Sequence, residues 1–297
     1  MNIALTLVVN PKLTTSLDQI ETKAIKALGI SSHNHSDLAA NHACDLLFTY
    51  PSVEDAAAKV TDTLNAVEGL DWALQPAEGR KKKLLLADMD STMIPVECVD
   101  ELADFVGLKE KVSAITEAAM RGELNFESAL TERVALLEGL TQAQLADCYK
   151  DRISLMAGAK TLIHTMKANG AYTALVSGGF TYFTTQVARA IGFDMDRANI
   201  LEMENDALTG KVAMPICGAN TKLETLKALA AERGLSRNDI LAVGDGANDI
   251  PMIEAAGLGV AYHAKPKTQA SASAAVRYGD LTSLLYFQGY KDSDFIA

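Results

Sequence analysis

The sequence predicts an α/β protein whose main sheet is parallel and doubly wound, with a helical segment inserted after the first strand of that sheet. Short apolar runs, typical of strands covered on both faces, recur from residue 84 onwards. Amphipathic helical patterns separate these runs, and a polar cluster follows each of them. In open α/β sheets such clusters lie together at the carboxyl ends of the strands, where binding sites form.

Length and composition fit a globular chain of about two domains. Of its 297 residues, 48% are hydrophobic and 22% are charged, so the chain can bury a full core. The 27 basic and 38 acidic residues give a net charge of −11. Because this charge repels nucleic acids and anionic membranes, neither is expected as a partner.

The cysteines and the chain start favour a cytoplasmic location. The four cysteines stand about 50 to 70 residues apart and form no C-x-x-C pair, unlike a disulfide framework or a zinc site. The apolar segment from Ile3 to Val9 has no basic segment before it, and polar Asn10 follows, so it predicts a strand and not a signal peptide. Every apolar run is shorter than the ~18 residues of a membrane span.

Residues 1–79 are predicted to form a separate α+β domain. Its predicted elements are, in order, a strand at 3–9, a helix at 17–28, two short strands flanking residues 41–42, a helix at 53–67 and a strand at 72–74. The order βαββαβ is that of a ferredoxin-like unit and resembles the ACT domain, which binds amino acids in metabolic enzymes. The basic run Arg80–Lys83 is interpreted as a solvated linker, and the second predicted domain comprises residues 84–297.

Several potential metal ligands are close in sequence within the first domain: His33, His35, Asp37 and His42. Histidine and aspartate bind metals, so these residues are a candidate metal site. A polar loop between two strands explains the same residues without a metal, and we favour that interpretation.

Three apolar runs of the second domain each end in a polar cluster. Leu84–Ala87 is followed by Asp88-Met89-Asp90-Ser91-Thr92, Ala171–Val176 by Ser177-Gly178-Gly179, and Ile240–Val243 by Gly244-Asp245-Gly246-Ala247-Asn248-Asp249. Helices predicted at 158–169, 180–191 and 221–233 separate these strands, as a doubly wound sheet requires. Residues 95–155 are helical in pattern and interrupt this alternation, so they are predicted to form a cap over the site.

Four carboxylates are predicted to meet at the mouth of the sheet: Asp88, Asp90, Asp245 and Asp249. Like charges this close repel one another, so a cation is expected among them. Oxygen ligands without histidine or cysteine select a hard ion, and Mg²⁺ with a phosphate ligand is the usual occupant. Ser177 and the glycines after it offer a hydroxyl and backbone N–H groups, which suit an anion.

Lys222 is predicted to complete the phosphate site. Thr221 and Glu224 suggest a capping box, which places Lys222 in the first turn of its helix, where the helix dipole disfavours a cation. A nearby anion would explain a lysine at this position. A solvated lysine is an equal alternative.

In this order the clusters resemble the motifs of the haloacid dehalogenase-like phosphohydrolases: Asp88-Met89-Asp90-Ser91-Thr92, Ser177, Lys222 and Asp245-Gly246-Ala247-Asn248-Asp249. The resemblance is closer to the phosphoserine phosphatases of that family, through Met93-Ile94 with Glu97, the segment Gly122–Glu127 with Arg133, and Val243–Asp249. It covers about residues 84–280. It implies a haloacid dehalogenase-like core with a helical cap and a Mg²⁺-dependent hydrolysis of O-phosphoserine, the last step of serine biosynthesis.

The resemblance also implies roles for the residues of the site. Asp88 would attack phosphorus and form an aspartyl-phosphate, while Asp90 would act first as general acid and then as general base. Mg²⁺ would be held by Asp88, Asp245 and the backbone carbonyl of Asp90, with Asp249 supporting the metal or the lysine. The phosphoryl oxygens would be bound by Ser177, the Gly178 N–H and Lys222. Asn248 would orient the substrate or its phosphate.

Substrate selection is expected to come from the cap. In the family, a glutamate at the position of Glu97 binds the substrate ammonium. The alternative is that Glu97 only stabilises the start of its helix, where the helix dipole favours an acid. Arg133 lies in an apolar stripe with Phe126 and Leu130, without a local acid, and is expected to bind the substrate carboxylate. The alternative is an arginine that snorkels to water. Met120 and Phe126 match cap positions of the family and would line the pocket, although core residues would look the same.

Several alternatives stay open. A phospho-accepting receiver module uses a similar set of residues, but it lacks an inserted helical segment and a general acid such as Asp90. A nucleotide-binding fold would need a phosphate-binding glycine motif, and neither G-x-x-x-x-G-K-[ST] nor a G-x-G-x-x-G after the first strand occurs. A phosphatase or phosphotransferase for another small phosphomonoester is the nearest alternative. A small-molecule substrate is expected in each enzymatic case, and a homodimer is left open.

Overall fold

The structure, a computed structural model, describes residues 1–10, 16–121 and 123–297, and it leaves out the side chain of Met120. The N-terminal elements are β1 (Asn2–Val9), α1 (Leu17–Leu28), β2 (Asn34–Ala39), β3 (Ala43–Thr49), α2 (Val53–Asn65) and β4 (Leu70–Pro76). Their strands lie in the order β2-β3-β1-β4, with antiparallel pairing throughout. The element order is the predicted βαββαβ, and the resemblance to an ACT domain stays a prediction.

The elements after residue 83 alternate between helix and strand outside one helical block. They are β5 (Leu84–Ala87), α3 (Cys98–Asp104), α4 (Lys109–Met120), α5 (Phe126–Ala135), α6 (Gln142–Arg152), α7 (Ala159–Ala168), β6 (Tyr172–Phe180), α8 (Thr181–Ile191), β7 (Met195–Asn199), β8 (Leu201–Glu204), β9 (Ala207–Val212), α9 (Ala219–Glu232), β10 (Ile240–Gly244), α10 (Ile250–Ala255), β11 (Leu258–Tyr262), α11 (Pro266–Ser271), β12 (Ala274–Val276) and α12 (Ser283–Phe287). Helices α3 to α6 form the predicted cap. In the described ranges, none of the helices is both long and apolar enough to cross a bilayer.

Six parallel strands form the sheet that carries the site, in the order β12-β11-β10-β5-β6-β7. The three strands predicted to end in polar clusters, β10, β5 and β6, are neighbours at its centre. Their residues Leu84–Ala87, Ala174–Ser177 and Ile240–Gly244 are almost completely buried, as expected for strands covered by helices on both faces. Their carboxyl ends therefore meet at one place.

A two-stranded hairpin that the sequence pattern did not predict, β8 with β9, packs against the cap. Leu208 of β9 is 3% exposed and belongs to the same apolar cluster as the cap residues Val134 and Leu137. The Gly139 N–H donates to the carbonyl of Leu208 at 2.9 Å, and the Gln142 N–H donates to the carbonyl of Asp206 at 3.0 Å. The hairpin thus attaches the α5–α6 end of the cap to the main domain.

The N-terminal sheet and the parallel sheet are continuous. Strand β4 pairs with β12 in antiparallel fashion, with Trp72 opposite Ala275, so the sheet has 10 strands in all. Asp71 is buried at this junction and accepts backbone N–H groups from residues 277–279, at 2.7 Å from Arg277 and 2.7 Å from Gly279. The predicted boundary between residues 79 and 84 therefore separates two parts of the sequence that share one sheet.

The basic run at this boundary is solvated only in part, because Lys81 and Lys83 are exposed whereas Arg80 and Lys82 have partners within the protein. The interpretation as a solvated linker is therefore wrong for Arg80 and Lys82. The Arg80 guanidinium forms an ion pair with Asp45 at 2.5 Å and donates to the Thr6 hydroxyl at 3.1 Å. Lys82 is 7% exposed, and its ammonium donates to the carbonyls of Gly79 and Asn238. A buried acid and free carbonyl oxygens supply the partners that solvent would otherwise supply.

Candidate active site

The ends of three neighbouring strands place four polar side chains side by side. Asp88 and Asp90 follow β5, Ser177 lies in β6 and Asp245 follows β10. All four are buried, with exposed fractions between 1% for Ser177 and 6% for Asp90. Buried carboxylates are rare without partners, so their partners indicate what the site can do.

Lys222 lies among these carboxylates. Its Nζ is 2.7 Å from Oδ1 of Asp88 and 2.6 Å from Oδ1 of Asp249, and the residue is completely buried. Burial acts to lower the pKa of Lys222, but the charges of Asp249 and Asp88 outweigh this effect and the pKa is raised. Lys222 is therefore a charged group of the site, and the solvated alternative is wrong.

The helix that carries Lys222 begins earlier than predicted. Its first residue is Ala219, and the Gly218 N–H donates to the Thr221 hydroxyl at 3.3 Å. The predicted capping box of Thr221 with Glu224 is therefore wrong, because Thr221 is already inside the helix. Lys222 still lies near the N-terminus of α9, and its two carboxylate partners explain a cation there.

Asp249 supports the lysine and the loop after β10. Its Oδ1 accepts from Lys222, and its Oδ2 accepts the N–H groups of Asp245 at 3.1 Å and Gly246 at 3.0 Å. Both oxygens thus have partners within the protein. Of the two predicted roles for Asp249, this geometry favours support of the lysine over direct coordination of a metal.

The acidic cluster has the donor set of a hard-metal site. Carboxylate oxygens of Asp88, Asp245 and Asp249 lie within 4.8 Å of one another. Burial raises the pKa of Asp88 well above its usual range, and the charge of Asp249 adds to the effect. Burial and the same charge raise the pKa of Asp245 to about 7. One lysine leaves this oxygen-only cluster with excess negative charge, which a divalent cation would offset.

Asp90 stands apart from that cluster through its side chain. Its Oδ1 accepts the Cys98 N–H at 3.0 Å, and its Oδ2 accepts the Ser177 hydroxyl at 3.3 Å. Only its backbone carbonyl is left for a metal, as the resemblance implies. Burial raises the pKa of Asp90, which favours the protonated form that a general acid needs.

The glycines after Ser177 allow the close approach of other groups. A Cβ atom at Gly179 would lie 2.5 Å from Oδ2 of Asp90, and one at Gly178 would lie 2.6 Å from the ring of Phe126. The Gly179 N–H donates to the Ser177 hydroxyl oxygen at 2.8 Å. Any side chain at either position would push Asp90 or the cap away from the strand ends.

A small cavity lies between the strand ends and the cap. Among its lining residues are Asp88, Asp90, Ser177 and Gly178 from the sheet side and Glu97, Phe126 and Arg133 from the cap side. The ring of Phe126 lies over Gly178, near the end of β6. Predicted phosphate-binding and substrate-selecting residues thus line one cavity.

Arg133 is a buried cation of the cap. It is 5% exposed, so the snorkelling alternative is wrong. Its Nε donates to the carbonyl of Ala129 at 3.1 Å and its Nη1 donates to the Thr116 hydroxyl at 2.9 Å. Within the described part of the chain it forms no ion pair, and burial lowers its pKa. A buried guanidinium without a carboxylate is costly unless a ligand brings one.

Glu97 lines the same cavity as Arg133 and is an acid where Arg133 is a cation. Its Oε1 accepts the Ser91 hydroxyl at 2.6 Å. It occupies the N-terminal end of α3, as its alternative role requires, but its side chain makes no capping hydrogen bond. Burial raises the pKa of Glu97 well above its usual range, and the charge of Asp90 adds to this rise. An ammonium group in the cavity would reverse that effect.

Asn248 and Met120 complete the set of predicted substrate contacts. Asn248 lines the cavity, and its buried Oδ1 has no hydrogen-bond partner within the described chain, so a ligand atom can bind there. The side chain of Met120 lies outside the described residues, and its role stays a prediction.

Three residues that support the site had not been singled out from the sequence. The Ser91 hydroxyl holds Glu97, with Ser91 itself at a φ of 55°, and the Thr92 hydroxyl donates to Asp245 at 3.3 Å. Thr116, in the middle of the cap, holds Arg133. Ser91 and Thr92 belong to the first aspartate motif, so their position was a usable signal although no role was assigned to either. For Thr116 the sequence offered none.

Comparisons with known proteins agree with this geometry. The sequence profile of haloacid dehalogenase-like hydrolases matches residues 85–254. A phosphoserine phosphatase of Albidiferax ferrireducens is 47% identical over 208 residues, which cover 68% of this chain and 88% of the relative. The crystal structure of a HAD family hydrolase from Salmonella enterica serovar Typhi is 30% identical, with a TM-score of 0.82, and covers 97% of this chain and 98% of that chain. A solved structure of phosphoserine phosphatase, as an analogue of its phospho-aspartyl intermediate, is 40% identical to this chain, with a TM-score of 0.67. The match covers 70% of this chain and 99% of that chain.

Proposed function

The chain belongs to the haloacid dehalogenase-like hydrolase family, and on that premise we propose that it hydrolyses O-phosphoserine to serine and phosphate with Mg²⁺. The observation that carries this proposal is a pair of oppositely charged residue types on the cap side of the cavity, buried Arg133 and half-buried Glu97. Within the described residues, Arg133 forms no ion pair with a carboxylate and Glu97 forms none with a cation. A small molecule with a phosphate, a carboxylate and an ammonium supplies a partner to each group.

The first step is attack of Asp88 on phosphorus. Its Oδ1 is held by the Met89 N–H at 2.8 Å and by Lys222 at 2.7 Å, which leaves Oδ2 as the nucleophile. A bond forms between Oδ2 and phosphorus while the bond from phosphorus to the seryl oxygen breaks. Asp90 gives its proton to that leaving oxygen, so serine departs neutral at its hydroxyl and an aspartyl-phosphate remains.

The second step hydrolyses this intermediate. Asp90, now a carboxylate, takes a proton from a water molecule as the water oxygen attacks phosphorus. The bond between phosphorus and Asp88 breaks, which releases phosphate and restores both aspartates to their starting states. One carboxyl group can serve both steps because burial raises its pKa, which favours the protonated form needed first, and loss of that proton to serine leaves the base needed second.

The phosphoryl oxygens would be bound by the Ser177 hydroxyl, the Gly178 N–H and Lys222. By oxyanion-hole precedent each such donor is worth about 3 to 4 kcal/mol in the transition state. Asp88, Asp245 and the backbone carbonyl of Asp90 would hold Mg²⁺. When bound, the ion supplies positive charge that offsets the carboxylates and the phosphoryl oxygens.

Selection of serine rests on the cap. The planar fork of Arg133 suits a carboxylate in bidentate geometry, and Glu97 suits an ammonium. Phe126 would cover the substrate above Gly178, and Oδ1 of Asn248, which has no partner within the described chain, would orient the ammonium or a protonated phosphate oxygen.

We further propose a cytoplasmic location and a place as the last step of serine biosynthesis. The four cysteines are free and buried, which supports a reducing compartment. A homodimer stays a prediction from the sequence.

Phosphate release across a panel of phosphomonoesters tests the proposed substrate. We expect the highest kcat/KM with phosphoserine, and values at least about tenfold lower with phosphoethanolamine, which lacks the carboxylate, and with phosphoglycolate, which lacks the ammonium. A higher kcat/KM with either truncated compound, or with another phosphomonoester, would assign the enzyme to a different substrate.

A further inference from the structure

A second set of metal-ligand side chains lies in the N-terminal part, on the face of the sheet that α1 covers. A carboxylate oxygen of Glu21 in α1, an imidazole nitrogen of His35 in β2 and the sulfur of Cys44 in β3 lie within 4.8 Å of one another. We propose that these three side chains, with His33 as the fourth ligand, bind Zn²⁺ or a chemically similar divalent transition-metal ion.

The pairing of β2 with β3 brings two of these ligands to one face. Asp37 lies opposite Cys44 in the antiparallel register, and His35 is two residues from Asp37, so His35 and Cys44 share a side of the sheet. Helix α1 packs on that side through Leu17 and Ile20, and this packing places Glu21 beside the strands. The ligands therefore come from three successive elements of the chain.

The structure changes the group that sequence proximity suggested. His42 does not belong to it, because its ring contacts Tyr286 at a centroid distance of 5.4 Å. Asp37 belongs to it indirectly, because Oδ1 of Asp37 lies 3.0 Å from Nε2 of His35. An outer carboxylate of this kind fixes the tautomer of a metal-binding histidine and leaves the other ring nitrogen free to bind.

The number of N–H donors on the His35 ring supports a cation between His35 and Glu21. Nε2 of His35 is 3.0 Å from Asp37, and its Nδ1 is 3.0 Å from Glu21. A neutral imidazole has a single N–H and can donate to only one of these carboxylates. The other nitrogen would then face a carboxylate with its lone pair. A metal ion bound by both Nδ1 and Glu21 removes this conflict, and a doubly protonated ring is the competing explanation.

The distances and the donor types suit zinc. Tetrahedral Zn²⁺ with nitrogen and sulfur ligands places its ligand atoms about 3.3 to 3.8 Å apart. Glu21 is already 3.1 Å from Nε2 of His33 and 3.0 Å from Nδ1 of His35. Among Glu21, His35 and Cys44, closing the remaining gap needs a shift of about 1 Å at most, within the reach of side-chain rotation. His33 contacts Glu21 but lies outside this group of three, so its ring would have to turn towards the ion. The mixed set of nitrogen, oxygen and sulfur contrasts with the oxygen-only cluster at Asp88.

Local charge and access also favour a cation. In the described part of the chain, the ion-pair partners of Glu21 are His33 and His35 alone. With neutral histidines the group therefore carries the negative charges of Glu21 and Asp37. Cys44 is completely buried, whereas the side chains of His33 and His35 are 26% and 35% exposed, so an ion can enter from the histidine side.

Titration of the full-length protein with Co²⁺ in excess Mg²⁺ tests this proposal. Cobalt bound by a thiolate gives a ligand-to-metal charge-transfer absorption, which the oxygen-only cluster cannot produce. We expect this absorption to saturate at one equivalent in the wild type and in Cys98→Ala, whose cysteine lies next to Asp90. Cys44→Ala should abolish it. Absence of the absorption from the wild type, or its persistence in Cys44→Ala, would overturn the proposal.

Competition for Zn²⁺ with a chromophoric chelator provides a second measurement that does not depend on Cys44. We expect Glu21→Gln and His35→Gln to weaken Zn²⁺ binding on the order of 100-fold or more, and Asp37→Asn by about tenfold. His164→Gln is the matched control, because His164 lies far along the chain and bonds the carbonyl of Ala297. Equal Zn²⁺ affinity in His35→Gln and in the wild type would show that the ring is simply doubly protonated.

Discussion

Nη1 of Arg133 donates a hydrogen bond of 2.9 Å to the hydroxyl of Thr116, and that hydroxyl lies 2.7 Å from Oδ1 of Asp100. This chain of hydrogen bonds links α5 to α4 and α3. It orients the guanidinium without a carboxylate in direct contact, so the charge of Arg133 stays available to a ligand. Thr116 is therefore a positioning residue for the group that we assign to the substrate carboxylate.

Arg133→Lys should raise KM for phosphoserine by roughly tenfold or more, about 1.4 kcal/mol, because an ammonium cannot reproduce a bidentate fork. Hydrolysis of phosphoethanolamine should barely change, since that compound has no carboxylate. Steady-state kinetics on both substrates measure the difference. Equal losses on both would place Arg133 in the support of the fold or of the phosphate site.

Thr116→Val should raise KM for phosphoserine by about fivefold with little change in kcat, because the lost hydrogen bond is worth about 1 kcal/mol of orientation. Thr116→Ser keeps the hydroxyl and should restore most of the wild-type KM. A similar loss in both variants would indicate a packing defect, which thermal unfolding of the two proteins would reveal directly.

Asp88→Asn should abolish turnover, because it removes the nucleophile while preserving the shape of the side chain. Asp90→Asn should slow both departure of serine and hydrolysis of the intermediate. Reduction of the wild-type intermediate with borohydride, followed by peptide mass spectrometry, should mark Asp88. A label on Asp90 instead would show that Asp90 is the nucleophile and that Asp88 is not.

EDTA should abolish activity, and added Mg²⁺ should restore it. Without the ion, burial raises the pKa values of Asp88 and Asp245, and the charge of Asp249 adds to both rises, so the negative charges lack compensation. Mg²⁺ should therefore also raise the Tm of the wild type, and much less that of Asp245→Asn. Full turnover in metal-free buffer would contradict the assignment of these aspartates to a metal.

Lys82 should make stability depend on alkaline pH. Burial lowers its pKa in the folded protein to about 8, from 10.5 when exposed. Between these values the unfolded chain holds a proton that the folded chain has lost, so the free energy of unfolding rises with pH, by up to about 1.4 kcal/mol per pH unit. Below pH 8 both states are protonated and this contribution is constant.

The pH dependence of the free energy of unfolding can be measured by urea unfolding. The wild type and Lys82→Met are compared at several pH values between about 7.5 and 10. Methionine has no titratable group, so the advantage of Lys82→Met over the wild type should shrink as the pH rises. A difference between the two proteins that is independent of pH would mean that Lys82 keeps an ordinary pKa.

The strands that carry the site could be predicted because their apolar runs are continuous and each ends in polar residues. Strand β7 could not, since Met195–Asn199 is mostly polar and lies at the edge of the sheet, where side chains stay partly exposed. The hairpin of β8 and β9 was missed for a related reason. Its exposed residues show no alternation, and Leu208 alone is fully packed.

Within the site, the sequence indicated which residue types meet but not how each is held. The support that Asp249 gives Lys222 depends on the loop after β10, which turns its N–H groups back to the carboxylate. The contact of Arg133 with Thr116 depends on the packing of two cap helices. The approach of Glu21 to Cys44 likewise depends on tertiary structure, because no spacing in the sequence relates a helix to a strand across a sheet.

The continuity of the sheet has a consequence for any shortened form of the protein. The sequence pattern predicts residues 1–79 as a separate α+β domain, which would make them dispensable for the parallel sheet. In the structure, removing β4 would expose the short strand β12 as an open edge and leave the N–H groups of residues 277–279 without Asp71. Unprotected strand edges pair with other molecules, so such a fragment would tend to self-associate even with every catalytic residue in place.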